Sequence, residues 1–118
     1  MDNKQSLGKF GEELATRFLI DSGLTIVTRN YRCPKGEMDV IARDGEALVF
    51  IEVRTRRSSY RGWGEESITP NKGRRLQAIA SYYVVQQGYQ SWPNLRFDVV
   101  AIRKIGENSE VNWIKAAL

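Results

Sequence analysis

Apolar residues recur every three or four positions in two segments of the chain, a spacing that predicts two amphipathic helices. The first helix is expected over residues 6–22, and Gly23 after it supplies a stop. The second is expected from Pro70, which suits a first helical turn, to about Gly88. Each helix has one apolar face with which to cover a sheet. These faces consist of Leu7, Phe10, Leu14, Ala15, Phe18 and Leu19 in the first helix, and of Leu76, Ile79, Ala80, Tyr83 and Val84 in the second.

Five further segments are rich in β-branched or alternating apolar residues and predict strands. They are residues 24–31, 36–43, 46–56, 95–104 and 110–116. Asp44-Gly45 is a strong two-residue turn signal between the second and third strands, whereas residues 57–69 have the composition of a loop. The order αβββαββ predicts an α/β fold, a mixed central sheet flanked by helices, in a single domain over residues 1–118.

Histidine is absent from the 118 residues, and cysteine occurs once, at Cys33. This composition excludes Ser-His-Asp and Cys-His nucleophilic sites, histidine general bases and histidine metal sites. Chemistry near neutral pH must then depend on carboxylates, lysines, arginines, hydroxyls or a bound metal. One cysteine cannot form an internal disulfide, and the first residues contain no apolar run suited to a signal peptide or membrane span, so a cytoplasmic location away from membranes is expected.

The net charge of +4 is concentrated in one part of the chain. Residues 54–75 contain seven basic and two acidic side chains, so this segment has a charge of +5 and the remainder has −1. The guanidinium fork of arginine suits phosphate oxygens, which makes nucleic acid one interpretation and a solvated basic face the other. The seven basic residues are Arg54, Arg56, Arg57, Arg61, Lys72, Arg74 and Arg75.

Alternate residues of a strand share a face, and this rule sorts the side chains of the second and third strands. Glu37, Asp39 and Ile41 are expected on one face of the second strand with Met38, Val40 and Ala42 on the other, and Phe50, Glu52 and Arg54 on one face of the third.

The Asp-Gly turn also predicts which residues of these strands lie opposite each other. If Asp44 and Gly45 are the two central residues of the turn, Asp39 is expected opposite Phe50, and Glu37 opposite Glu52. Asp39 and Glu52 are then diagonal neighbours, about 7–8 Å apart at the backbone, and can converge on one cation. The like charges of Glu37 and Glu52 need a positive partner, which is Arg54, a divalent metal or both. A structural ion pair of Glu52 with an arginine is the alternative to a metal site.

Carboxylate oxygens without histidine or thiolate suit Mg²⁺ or Mn²⁺. Such a cation polarises a phosphoryl oxygen and lowers the pKa of a bound water, and a neighbouring cationic side chain stabilises the charge that develops on the phosphate. Metal-assisted hydrolysis of a phosphodiester therefore connects the carboxylates with the arginine-rich segment next to them.

Four ordered motifs, GKFGEELA, GEMDVIARDG, LVFIEVRTR and RFDVVAI, resemble the YraN-like family of small uncharacterised bacterial proteins. That family is similar to archaeal Holliday junction resolvases and to the PD-(D/E)XK nuclease superfamily, and the resemblance covers about residues 7–102. It implies a restriction-endonuclease-like core and a metal-dependent DNA endonuclease that acts on branched or structured DNA. A Holliday junction is two-fold symmetric, so such an enzyme would work most simply as a homodimer.

The resemblance also implies roles for individual residues. Asp39 and Glu52 would ligate the metal, the backbone carbonyl of Val53 would add a ligand, and Glu12 would support the site. Glu12 matches the glutamate of the family's G-x-x-G-E motif, whereas helical geometry alone does not separate it from Glu13.

Arg54 departs from the nuclease pattern, which has lysine at this position. Arginine stays protonated and cannot act as a base, although it can hold a phosphate electrostatically. Lys72 could supply an ammonium if the start of the second helix folds back toward the sheet, but a solvated or phosphate-contacting lysine is the simpler expectation. Arg54 also favours an alternative function, a nucleic-acid-binding or protein-interaction module that retains the fold without turnover. The expected nucleic-acid contacts are Arg56, Arg57, Arg61, Lys72 and Arg75.

Other residues in the motifs have structural explanations as well as functional ones. Trp63 could stack on an unpaired base or cap the core. Asp98 is expected in a buried ion pair, with Arg96 as one candidate partner. Gly8 and Gly11 are unfavourable inside a helix, so either its first turn is frayed or a backbone approaches closely there.

Overall fold

A computed structural model describes residues 4–57 and 68–118 of the chain. The elements follow the predicted order αβββαββ, and each predicted boundary lies within two residues of the observed one. The α/β prediction is confirmed, and the arrangement is compatible with a restriction-endonuclease-like core. The elements are α1 (Lys4–Asp21), β1 (Thr25–Cys33), β2 (Gly36–Asp44), β3 (Ala47–Arg57), α2 (Pro70–Gln86), β4 (Asn94–Ile105) and β5 (Asn108–Ile114).

The five strands form one mixed sheet in the order β1-β2-β3-β4-β5. Neighbouring strands are antiparallel except β3 and β4, which are parallel. Parallel neighbours need a crossover connection, and α2 lies within that connection between β3 and β4. β3 is the central strand, and its residues 48–51 are buried on both faces, as expected for a strand covered from both sides.

Two hydrophobic clusters lie on opposite faces of the sheet, one under each helix. The α2 side contains Met38, Ile41, Leu48, Phe50 and Phe97 of the sheet together with Leu76, Ile79, Ala80, Tyr83 and Val84 of α2. The α1 side contains Val40, Ala42, Val49, Ile51, Val100 and Ile102 of the sheet together with Leu24 and with Ala15 and Leu19 of α1.

The register between β2 and β3 differs from the prediction by two residues. Asp44 pairs with Ala47, so the turn consists of Gly45 and Glu46 rather than Asp44 and Gly45. Gly45 has a φ of +61° and Glu46 does not have a positive φ, which matches a turn with glycine in the first central position. The glycine of an Asp-Gly pair can occupy either the first or the second central position of a turn. The sequence pattern predicted Gly45 in the second position, and the structure places it in the first.

Asp39 is consequently not opposite Phe50, because Phe50 pairs with Ile41 and the ladder between the two strands ends at Val40 and Ile51. The predicted alternation is also wrong at one point. Met38 packs in the α2-side cluster although Val40, two residues on, packs in the α1-side cluster. The side-chain alternation of β2 therefore breaks around Asp39, where the strand separates from β3.

The predicted opposition of Glu37 and Glu52 is wrong as well. Glu37 lies opposite Arg32 of β1, and the two exposed side chains form an ion pair of 2.9 Å between Arg32 Nε and Glu37 Oε1. The like-charge conflict inferred from the sequence is therefore absent, and Glu37 lies outside the candidate site.

Asp98 is buried and forms the predicted ion pair with Arg96, whose Nη2 lies 2.9 Å from Asp98 Oδ2. The indole N–H of Trp113 and the backbone N–H of Ala116 also donate to its carboxylate, at 2.9 and 3.0 Å. A buried carboxylate needs such partners, so Asp98 anchors the C-terminal segment to β4. Within residues 4–57 and 68–118, no helix is both long and apolar enough to cross a membrane.

Candidate active site

Asp39 lies at the point where β2 separates from β3. Its Oδ2 accepts a hydrogen bond of 2.7 Å from the backbone N–H of Val53, in place of the ladder bond that β2 no longer supplies. The N–H and C=O of one strand residue point to the same side of the strand. The carbonyl of Val53 therefore faces the same edge of β3 as the Asp39 carboxylate.

Glu52 precedes Val53 and projects to the α2 side of the sheet, on the face it shares with Phe50. Its side chain is 13% exposed and both carboxylate oxygens have a cationic partner. Arg54 Nε donates to Oε2 at 2.6 Å, and Lys72 Nζ lies 2.6 Å from Oε1. The ion pair with an arginine, which the sequence offered as the alternative to a metal site, is present, and a lysine completes it.

The pKa of Asp39 shows how these charges combine. Burial raises it from 3.8 to about 6, and the hydrogen bond from the Val53 N–H opposes this rise. The negative charges of Glu12 and Glu52 contribute to this rise, and the positive charge of Lys72 opposes it. Side chains from α1, β3 and α2 therefore all act electrostatically on one carboxylate.

Glu12 reaches this site because α1 approaches β3 closely. A Cβ added to Gly11 would lie 1.7 Å from Thr55 Oγ1, so only glycine permits the observed packing of the helix on the strand. The close approach at Gly11 is thus made by the side chain of Thr55 rather than by a backbone. At Gly8, no atom would lie within 4 Å of an added Cβ. Glu13 points elsewhere, since its Oε1 accepts from Arg29 Nη2 of β1 at 2.9 Å.

Lys72 is the residue whose position the sequence least predicted. The start of α2 does fold back toward the sheet. The ammonium of Lys72 therefore pairs with Glu52 and is not fully solvated. Thr69 caps the helix and its side chain accepts from the Lys72 N–H at 3.2 Å, which fixes Lys72 in the first turn. The Thr-Pro pair at 69–70 was the available signal for this placement.

The oxygen atoms at this site fit a hard divalent cation in chemistry and in charge. Asp39 and Glu52 offer carboxylates and Val53 a carbonyl, which are the ligand types that Mg²⁺ and Mn²⁺ prefer. In the described part of the chain, no three Asp, Glu, Cys or His side chains form a metal-binding group. Asp39, Glu52 and the Val53 carbonyl could hold a metal together, and Glu12 would act on it through its negative charge.

The basic residues predicted to contact nucleic acid lie in different places. Arg56 and Arg57 are exposed at the end of β3, beyond Arg54 on the same strand. Arg75 is exposed on α2, and its stem lies near Gly36 at the β1–β2 hairpin. Arg61, like Trp63, lies outside the described residues.

Comparison with known proteins identifies relatives along nearly the whole chain. A UPF0102 protein of Desulfitobacterium hafniense strain Y51 is 51% identical over 117 residues, which cover 97% of each chain. A UPF0102 protein of Nocardia farcinica is 46% identical over 115 residues, which cover 97% of this chain and 90% of the relative. One from Caldicellulosiruptor saccharolyticus is 44% identical over 117 residues and 98% of each chain.

Residues 11–102 match the uncharacterised protein family UPF0102. The match contains Glu12, Asp39, Glu52 and Lys72, and so the candidate site lies within the matched segment. The family resemblance predicted from the four motifs is confirmed, and the chain belongs to the uncharacterised protein family UPF0102.

Proposed function

We propose that this protein is a metal-dependent DNA endonuclease that hydrolyses phosphodiester bonds in branched or structured DNA. The observation that supports this most strongly is the convergence of Asp39, Glu52 and the Val53 backbone at the separation of β2 from β3. Burial and, to a smaller extent, the negative charges of Glu12 and Glu52 raise the pKa of Asp39, and a bound cation would favour its ionised form. When bound, Mg²⁺ or Mn²⁺ would polarise a phosphoryl oxygen and lower the pKa of a water.

The protein's own side chains have separate roles in this proposal. Asp39 and Glu52 hold the metal together with the Val53 carbonyl, and Glu12 strengthens the negative potential that attracts it. Arg54 orients Glu52 through its hydrogen bond of 2.6 Å and offers positive charge to the phosphate. Arg54 stays protonated, so it takes no proton from the attacking water.

The substrate proposal combines charge with resemblance. Arg56 and Arg57 extend the positive charge along β3 from the carboxylates, where they would contact the phosphates that flank the scissile bond. The preference for branched DNA and the homodimer follow from the resemblance to Holliday junction resolvases and from the two-fold symmetry of a junction.

The direct test is nicking of a labelled four-way junction by the purified protein in Mg²⁺ or Mn²⁺, with a linear duplex as the comparison. The wild type is expected to yield product in either metal, and Asp39→Asn and Glu52→Gln are expected to yield none while retaining the wild-type circular dichroism spectrum. Glu37→Gln is the matched control, because Glu37 is a carboxylate of the same strand that pairs with Arg32 away from the site. Product from wild type and Asp39→Asn at equal rates would refute the proposal.

A second function, a nucleic-acid-binding or protein-interaction module without turnover, is favoured by one observation. Both oxygens of Glu52 already have cationic partners, so the carboxylate is neutralised without a metal. Calorimetric titration with Mn²⁺ separates the two functions. Heat of binding that disappears in Asp39→Asn supports the nuclease, and a silent titration with retained DNA binding supports the module.

A further inference from the structure

The two cations on Glu52 are not equivalent. Arg54 lies two residues along the same strand, and its side chain is 20% exposed. Lys72 arrives from the first turn of α2 on a flexible four-carbon stem and is 31% exposed. Arg54 starts on the same face of the same strand as Glu52, whereas Lys72 reaches Glu52 from another element and its ammonium can leave by rotations of its own side chain.

The ammonium of Lys72 acts on both carboxylates of the candidate metal site. It lies 2.6 Å from Glu52 Oε1, and its positive charge also reaches Asp39. A divalent cation held by Asp39 and Glu52 would occupy this same region. Two cations within a few ångströms of each other in a partly buried site repel strongly, so the ammonium and the metal compete for Glu52.

We propose that Lys72 is an exchangeable counter-ion of Glu52. The divalent cation displaces its ammonium from Oε1, and the released ammonium contacts a phosphate of the bound nucleic acid. This inference rests on the proposed function, since both the cation and the nucleic acid belong to it. It gives Lys72 two successive partners: the carboxylate when the metal is absent, and the phosphate when the metal is bound.

The first test measures metal affinity alone, by calorimetric titration of Mn²⁺ into the wild type and Lys72→Gln at low ionic strength. Removing the competing ammonium is expected to lower the Kd for Mn²⁺ by about tenfold. Lys72→Arg retains the competing charge and is expected to bind Mn²⁺ like the wild type. Arg74→Gln is the matched control, because it removes one positive charge from the same helical turn and its side chain pairs with Asn71.

The outcomes separate this inference from the proposed function. Equal Kd values for the wild type and Lys72→Gln would overturn the exchange and leave the metal site standing. A silent titration for both proteins would overturn the metal site and the exchange together. Lys72→Ala repeats the measurement, and thermal melts establish that each variant is folded.

The second test follows the ammonium to the phosphate. DNA affinity is measured as a function of salt concentration, once with Ca²⁺ as a hard divalent cation and once with a chelator. With Ca²⁺, Lys72→Gln is expected to reduce the slope of log affinity against log salt by about one, the value for one lost phosphate contact. With the chelator, the slope is expected to change little, because Glu52 then holds the ammonium. Equal losses under both conditions would contradict the exchange.

Discussion

At the scale of single residues, Asp39 is held in a position that is costly for a carboxylate. It is partly buried, one oxygen accepts from the Val53 N–H, and Glu12 and Glu52 add negative charge. Burial and the neighbouring negative charges favour its neutral form and raise its pKa to about 6, although the hydrogen bond from Val53 opposes the rise. Such a cost to stability is common where a charged group serves a function, because the group is retained for what it binds.

The first prediction is that Asp39→Asn stabilises the protein at pH 8. The folded-state pKa of about 6 lies above the ordinary 3.8, so folding takes up a proton between these values and the stability contributed by Asp39 falls as the pH rises through them. Asparagine has no charge to bury and its amide oxygen can still accept from Val53. The free energy of unfolding at pH 8, measured in urea without metal, is expected to rise by about 1–3 kcal/mol.

The same comparison at pH 4 is expected to show a much smaller difference, because Asp39 is then protonated in the folded protein. Glu37→Gln provides the control, since an exposed ion pair contributes at most about 1 kcal/mol. A stability difference between Asp39→Asn and wild type that is unchanged from pH 4 to pH 8 would contradict the assigned pKa.

At the scale of secondary-structure elements, the candidate site depends on three elements meeting at one end of β3. α1 approaches through Gly11 on Thr55, which brings Glu12 to the site. α2 begins at a Thr69 cap, which places Lys72 in the first turn. The pairing of β2 with β3 extends only from Asp44 to Val40, so Asp39 lies just outside it and the edge of β3 is free for its carboxylate.

The second prediction is that Gly11→Ala disrupts the contact of α1 with β3. Its Cβ would overlap Thr55 Oγ1, and the overcrowding is expected to lower the free energy of unfolding by about 1–3 kcal/mol. Gly8→Ala is the matched control within the same helix. Its Cβ meets no atom, so the better helix propensity of alanine is expected to raise stability by about 1 kcal/mol.

Thr55→Gly tests the cause of this loss. If the overlap with Thr55 is responsible, the double variant Gly11→Ala/Thr55→Gly will be more stable than the sum of the two single changes predicts. Purely additive urea denaturation energies would show that Gly11 is required for another reason.

The elements themselves were predictable because periodicity, Pro70 and the glycine stops are local signals. The register of β2 on β3 was not, because Gly45 can take the first or the second central position of a turn and nothing local selects between them. This one choice decided whether Asp39 faced Phe50 or the open edge at Val53. The arginine partner of Glu52 was predictable from the sequence, whereas Lys72 is twenty residues away and reaches Glu52 only through the packing of α2.

At the scale of the whole molecule, the charge of +4 is unevenly placed. The three carboxylates at the site lie at one end of the arginine-rich segment that begins at Arg54. A small negative site bordered by positive charge suits a cation and a polyanion at once, because each neutralises the field that would repel the other.

The third prediction concerns this positive border. Changing Arg56 and Arg57 together to glutamine is expected to weaken DNA binding and to reduce the slope of log affinity against log salt by about two. Lys9→Gln with Arg17→Gln removes the same charge from the exposed side of α1 that also contains Glu13, and is expected to leave the slope unchanged. Equal effects of the two double variants would show that net charge, rather than this surface, governs binding.

The measurement that tests the central claim most directly is a crystal structure grown with Mn²⁺, with anomalous scattering recorded from the metal. The predicted result is one Mn²⁺ ion held by the Asp39 and Glu52 carboxylates and the Val53 carbonyl, with the Lys72 ammonium withdrawn from Glu52. Glu52 still bridging Arg54 and Lys72, with no anomalous peak beside Asp39, would contradict the metal-dependent site.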